Sequence, residues 1–181
     1  LEVMRSLSIF PQSKHHKKSW ESLNLYAPIA HKLGLYTVKS ELEDIALSYL
    51  EPEDYRSIRA SLESTATERE QLIQRFLEPI IPRLDKLGYK YHIKSRTKSI
   101  FSIWNKMRKN QIPFEEVFDI FALRIIVDCP QEVETTQCWN IYSIVTDYYT
   151  PNPARMRDWI SIPKSYGYES RHTTVLTNTR Q

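Results

Sequence analysis

Tyr89-Lys-Tyr-His-Ile-Lys-Ser-Arg-Thr-Lys-Ser-Ile-Phe-Ser-Ile-Trp-Asn-Lys-Met107 changes period halfway along its length. Tyr89, Tyr91 and Ile93 alternate with Lys90, His92 and Lys94, which predicts a half-buried strand. Ile100, Ile103, Trp104 and Met107 then recur at helical spacing, with Ser99 placed to cap the helix they predict. Between the two lies Ser95-Arg96-Thr97-Lys98-Ser99. A strand, a basic polar turn and a helix N-terminus together make a place where phosphate can rest. Arg96 and Lys98 can grip a polyphosphate, the arginine through a planar fork that also stacks on a base. Solvated charge accounts for the same two side chains equally well, so the turn by itself leaves both readings open.

Working outward toward the C-terminus, Phe114 to Phe118 reads as a short helical turn. Asp119 then precedes Phe121-Ala-Leu-Arg-Ile-Ile-Val127, a nearly continuous apolar run expected to be an interior strand. An acid at a strand start beside a basic turn can hold Mg²⁺, which takes one or two carboxylates plus substrate phosphates. The competing reading is a salt-bridged Asp at a helix–strand junction. Gln131 to Tyr148 is an expected helix, with Val133, Ile141, Ile144, Val145 and Tyr148 inward and Pro151-Asn-Pro153 ending it. Trp159, Ile160 and Ile162 suggest a strand, then Tyr166-Gly167-Tyr168 a turn, then a strand through Val175. Around that turn stand Arg155, Arg157, Lys164, Arg171 and His172. The rings offer a stacking face for a planar base and the cations offer charge to phosphates; an ordinary surface turn fits the same residues.

Toward the N-terminus, residues 34–87 read as helices. Val38, Leu42, Ile45, Ala46 and Tyr49 predict one that ends before Pro52. Glu41, Glu43 and Asp44 on it resemble metal ligands but are expected to be a solvated acidic face. Glu53 to Leu62 is a second helix. Thr67-Glu-Arg-Glu70 has the capping-box pattern for a third, bent at Pro79 and Pro82 and ended by Gly88. Residues 1–33 are helical pieces around a polar link at Pro11–Lys18, with Leu1, Met4 and Leu7 as one buried stripe and Trp20, Leu23, Leu25, Tyr26 and Ile29 as another. His15 and His16 are adjacent and would diverge on a helix, which argues against a metal pair. Lys32-Leu33-Gly34 reads as a helix end.

The chain of 181 residues has only three glycines. That is too few for a phosphate-binding P-loop or a dinucleotide fingerprint, and the protein-kinase motifs are missing too. Net charge is +3 over residues 1–33, −4 over 34–87, +5 over 88–124 and −1 over 125–181. This describes a local anion site and not a surface coated for DNA. No apolar run approaches the roughly 20 residues of a membrane span and no signal-peptide layout opens the chain, so a cytoplasmic protein is expected. Cys129 and Cys138 suit neither a disulfide framework nor a zinc site and read as reduced, buried thiols. The chain opens without Met and stops soon after an expected strand, which reads as a piece of something longer.

Three ordered motifs, Arg96–Met107, Phe118–Ile125 and Arg157–Val175, resemble the synthetase domain of long RelA/SpoT proteins, the bacterial (p)ppGpp enzymes. Leu25–Tyr36 and Glu41–Ala46 resemble the stretch joining their hydrolase and synthetase domains, and Leu1–Leu7 the tail of the hydrolase domain. The resemblance implies an α/β (α+β) chain: an N-terminal helical segment, then a nucleotidyltransferase-like mixed β-sheet domain flanked by helices. By it, residues 1–35 are the last helices of an HD-type hydrolase domain, 36–88 a helical linker, and 89–181 a synthetase domain incomplete at its C-terminus. The implied reaction moves pyrophosphate from ATP to the 3′-hydroxyl of GDP or GTP with Mg²⁺, in the stringent response.

By motif position the resemblance assigns Asp119 to Mg²⁺ and, with Arg96 and Lys98, to catalysis. Arg96, Lys98, Lys106, Arg124, Arg155 and Arg157 fall to ATP and its phosphates. Lys164, Tyr166, Tyr168 and His172 fall to GDP or GTP, with Tyr168 stacking on guanine. Ribosome and tRNA are implied partners of the full-length parent, and Mn²⁺ belongs to a hydrolase site whose residues this chain lacks. The chain departs from the family at Tyr166, where Asn is usual, at Arg171, where an aliphatic residue is usual, and at Ser95, often Gly. The family's Glu-x-Gln-x-Arg-Thr strand, whose Glu completes the metal site, has no counterpart before Gln181. Two rivals remain: a catalytically inactive module that senses guanine nucleotides or docks on the ribosome, and an ordinary nucleotidyltransferase.

Overall fold

The computed structural model describes residues 1–117, 119–162 and 169–176. The order of elements is α1 (Glu2–Arg5), α2 (Gln12–Glu21), α3 (Ala27–Lys32), α4 (Tyr36–Leu50), α5 (Pro52–Ser64), α6 (Ala66–Leu77) and α7 (Ile81–Lys86). It continues through β1 (Tyr91–Thr97), α8 (Ile100–Asn110), β2 (Phe121–Val127), α9 (Gln131–Tyr148), β3 (Thr150–Pro151), β4 (Arg157–Asp158), β5 (Arg171–His172) and β6 (Val175–Leu176). The chain is therefore α+β, helical up to Gly88 and mixed afterwards. It divides into two compact units, one of residues 1–67 and 95–122 and the other of 68–94 and 123–181.

In the first unit, α4 is the central helix. One side of it, Leu42 and Ala46, closes a core with Met4, Leu7 and Ala27. Arg5 from α1 binds both oxygens of Glu41 at 2.6 and 2.9 Å, and the exposed pair on one turn of helix completes that edge. Gly34 ends α3 at φ +73°, a left-handed position that favours glycine. A second core gathers Ile58 of α5, Ile103 of α8 and Val117, with Leu62, Ile100, Trp104 and Met107 packed around them.

In the second unit, Ile80 and Leu84 meet Ile141, Ile144 and Val145 of α9, and the inward residues Tyr91, Ile125 and Val127 join them. Strands β1 and β2 pair with each other. Bonds from Lys98 N to the Ile120 carbonyl and from Asp128 N to the Lys90 carbonyl, each 2.8 Å, run the two strands antiparallel. Pairs β3–β6 and β4–β5 are antiparallel as well, with Pro151 opposite Val175 and Arg157 opposite His172.

Several local expectations are corrected. The Pro11–Lys18 link is helical: Pro11 is the N-cap of α2, which continues to Glu21. The stripe of Trp20, Leu25, Tyr26 and Ile29 is exposed, and small residues (Ser19, Ser22, Ala27 and Ala30) are buried in its place. A π-helical segment at Ser22–Tyr26 shifts the register between α2 and α3, so a stripe read at the ordinary helical period lands on the wrong side. Thr67 lies inside α6, which begins at Ala66. Pro79 falls between two separate helices while Pro82 sits in the first turn of the second, where proline is tolerated, so no single helix is bent. Residues Trp159–Ile162 form a turn, not a strand. The Asp158 carboxylate accepts from the backbone N–H of Ile160 and of Ser161, both at 3.1 Å, and this side-chain turn ends β4.

Candidate functional site

The junction of β1 and α8 is built as its sequence predicts. Ser99 is the N-cap, and its hydroxyl accepts from Ser102 N at 3.3 Å. Arg96 is exposed near the end of β1, and Lys98 is half-buried where the strand ends. Across from them, Asp119 follows the 3₁₀ turn Phe114–Glu116 and stands at φ +76°, a left-handed backbone at a residue with a side chain. Its carboxylate lies 2.6 Å from Lys98 Nζ and 4.0 Å from Lys106 Nζ of α8. Three residues from two separate motifs thus meet at one point on the first unit: an exposed acid between two lysines.

The acid also fits the ion that the resemblance implies. Among the described residues no group of three His, Cys, Asp or Glu is assembled to hold a metal by protein alone. One carboxylate meets the one or two that Mg²⁺ takes from protein when bound phosphate supplies the rest. The same Asp119, paired with Lys98, also matches the alternative of a salt-bridged acid at the start of the strand.

One expectation about this junction fails. The helix N-terminus is occupied by the chain itself: Asp44 of α4 accepts from Phe101 N at 2.8 Å and from Ile100 N at 3.3 Å. Burial pushes the Asp44 carboxyl above the usual range, against the lowering by those two N–H groups. The acidic cluster around it is not a solvated face either. Glu43 is buried with Lys39 Nζ 2.7 Å away, and Glu41 is held low by its bonds from Arg5. The sequence signal was there, three acids on one helix, but their partners lie on other elements and leave no local pattern. Further along α8, Trp104 Nε1 donates to Asp54 at 2.7 Å and Arg108 lies 3.5 Å from Glu51. Helices α4 and α5 therefore hold α8 from its first turn to its last.

The second unit carries the other candidates. Lys94 and Arg124 sit at exposed positions of β1 and β2, and Arg155 is exposed at the end of a 3₁₀ turn that Asn152 caps. Arg157 bends back to donate to the carbonyls of Ala154 and Met156 at 3.2 and 2.7 Å. His172 is exposed opposite it. Lys164, Tyr166, Gly167 and Tyr168 lie outside the described residues.

Arg171, expected to lose a core contact or to expose its charge, does something else. Its side chain is 4% exposed, Nη2 donates to Asp158 at 3.0 Å, and the guanidinium carbon lies 3.6 Å from the centre of the Trp139 ring. Burial alone would raise the Asp158 carboxyl; bonds from Ser161, Arg171 and Ile160 outweigh that and hold it far below the usual carboxylate range. Cys129 and Cys138 are free and half-buried, and desolvation pushes both thiols up, which leaves them less reactive than an exposed cysteine. His15 is held by the Phe10 carbonyl at 2.8 Å and packs edge-on to Tyr49, so it is a structural histidine. Among the described residues no helix is long and apolar enough to cross a membrane.

Comparison with known proteins places these features in a family. Residues 95–181 match a family model described as a region found in RelA/SpoT proteins. The chain is 36% identical over 179 residues to a guanosine-3′,5′-bis(diphosphate) 3′-pyrophosphohydrolase of Aquifex aeolicus, covering 98% of this chain and 25% of that protein. It is 33% identical over 173 residues to the bifunctional (p)ppGpp synthase/hydrolase SpoT of Escherichia coli, covering 96% of this chain and 24% of that protein. A GTP pyrophosphokinase of Myxococcus xanthus is also 33% identical over 173 residues, covering 96% of this chain and 22% of that protein. The chain thus spans about a quarter of the length of these relatives. With the basic turn, the acid between lysines and the motif order all in agreement, the chain belongs to the RelA/SpoT family.

Proposed function

We propose that this chain is a piece of a bifunctional alarmone enzyme and holds most of its synthetase part, residues 89–181, behind the last hydrolase helices, 1–35, and a helical linker, 36–88. The reaction joins the 3′-oxygen of GDP or GTP to the β-phosphorus of ATP and releases AMP. The observation that carries the reading is the meeting of Asp119 with Lys98 and Lys106. Asp119 would hold Mg²⁺, which when bound neutralises charge on the phosphates being moved. Lys98 and Lys106 place two cations where donor phosphates would lie, and exposed Arg96 is free in position to stack on or fork around the donor. Arg124, Arg155, Arg157, Lys164, Tyr166, Tyr168 and His172 keep the roles that motif position assigns them.

Transfer of labelled pyrophosphate from ATP to GDP tests the reading. The polypeptide of residues 1–181 is expected to bind nucleotide and form little product, because no Glu-x-Gln-x-Arg-Thr strand is present in it; robust turnover refutes that. In the intact parent, Asp119→Ala should abolish synthesis with the fold unchanged by circular dichroism. A variant that keeps full rate removes Asp119 from the mechanism.

The rival, an inactive guanine-nucleotide sensor or ribosome-docking module, rested on Tyr166, Arg171 and the missing Glu. Arg171 no longer favours it, since the side chain is accommodated inside the fold by Asp158 and Trp139. Calorimetry with GDP and with an ATP analogue separates the two, because a sensor has no need of the donor.

A further inference from the structure

The turn that carries Lys98 is pinned at three points, and all three are in the first unit. Lys98 N donates to the Ile120 carbonyl at 2.8 Å, Lys98 Nζ meets Asp119 at 2.6 Å, and two residues on, Ile100 and Phe101 donate to Asp44. The first two pins belong to the residue just before β2 and to the candidate metal ligand. The third comes from a helix 56 residues away in sequence. Ser99 caps Ser102 N, and Asp44 takes up Ile100 N and Phe101 N, two first-turn donors that the serine does not reach. The carboxylate thus ties the start of α8 to α4 at two points, in addition to satisfying those donors.

We propose that Asp44 is a positioning residue for the donor nucleotide: by fixing the first turn of α8 it sets where Lys98 and Lys106 present their charges. This rests on the synthetase reading above. Asp44 touches no substrate and acts only through the turn. Two N–H groups taken up by one carboxylate define both the height and the rotation of the helix start, which a single hydroxyl contact leaves loose. Lys106 lies two turns along α8, so a small rotation of the helix moves its ammonium away from Asp119, and a shift of the helix start pulls on Lys98 just before it. The arrangement also means that α8 offers no vacant anion position at its N-terminus, and donor phosphates must be held by side-chain cations.

The test is calorimetry on the 181-residue chain with a non-hydrolysable ATP analogue and with GDP, for the unaltered chain and for Asp44→Ala, Asp44→Asn and Glu41→Gln. Asp44→Ala should weaken the ATP analogue about five- to tenfold, the scale of one lost cap, with GDP affinity unchanged. Asp44→Asn, which keeps one accepting oxygen and loses the other, should weaken the analogue by an intermediate factor of about two to five. Glu41→Gln, which breaks an ion pair on the same helix without touching the turn, should stay within about twofold. Equal loss of both nucleotides, or no loss, overturns the proposal while the synthetase reading stands. An unaltered chain that does not bind the ATP analogue overturns both. If Asp44→Ala does not fold, Asp44→Glu replaces it: the carboxylate moves by one methylene, the same selective loss is expected, and an unchanged affinity overturns the positioning role.

Discussion

The Arg171 guanidinium lies over the Trp139 ring and donates to Asp158, although by position it is a cation in an aliphatic slot. Neither partner is near it in sequence, so no local pattern announces the arrangement. Its stability rests on the pairing, because its Nε and Nη1 make no hydrogen bond among the described residues. Asp158→Ala should therefore cost about 3–5 kcal/mol in urea unfolding, much of it the penalty for leaving Arg171 buried and unpaired. Arg171→Leu, which leaves Asp158 its bonds from Ile160 and Ser161, should cost less, about 1–2 kcal/mol. The pH dependence has a definite sign. A carboxyl held low in the folded state contributes stability fully above its unfolded pKa, so the contribution is intact at neutral pH and declines as pH falls below about 4. Asp158→Asn should flatten that part of the acid limb.

Among the elements, those with a strong period and their own punctuation were legible. The α8 stripe with Ser99 and the helix end at Gly34 emerged where the spacing put them. The β2 run formed a strand, but one that alternates half-buried with exposed residues beside a single partner and is not interior. Gly34→Ala should cost about 1 kcal/mol by thermal melting, a backbone cost only, since an added Cβ would meet nothing within 4 Å. What the period could not reveal was the break in it. Five residues of π-helix rotate Trp20 and Tyr26 outward and bring Ser22 and Ala27 in, and an insertion of that kind has no signature in apolar spacing. The short strands at Arg157–Asp158 and Arg171–His172 were missed for a different reason: two residues are too few to alternate. Of the candidate site, Lys98, Lys106 and Asp119 were readable because each sits in a motif, whereas Asp44 answers to Phe101 across half the chain.

At the scale of the molecule, the chain leaves and rejoins each compact unit. Residues 1–67 share their unit with 95–122, so a cut at Gly88 removes half of a core and leaves no natural boundary in packing terms. Ile58, 2% exposed in the whole chain, would lose Ile103 and Val117 at once. A polypeptide ending at Gly88 should bind a hydrophobic dye and melt without a sharp transition, while the full 181 residues melt cooperatively. A sharp melt of residues 1–88 would mean that α8 is a guest on that unit and not a part of its core.

The left-handed backbone at Asp119 separates robustness from chemistry at one residue. An aspartate there carries a conformational penalty that glycine would not, of about 1 kcal/mol. Asp119→Gly relieves that penalty but frees the unfolded chain and removes the ion pair with Lys98, so the melting temperature should stay within about two degrees even as the acid disappears. Rounds of laboratory selection for heat resistance alone would then tolerate glycine at this position, yielding an equally sturdy polypeptide stripped of its candidate metal ligand.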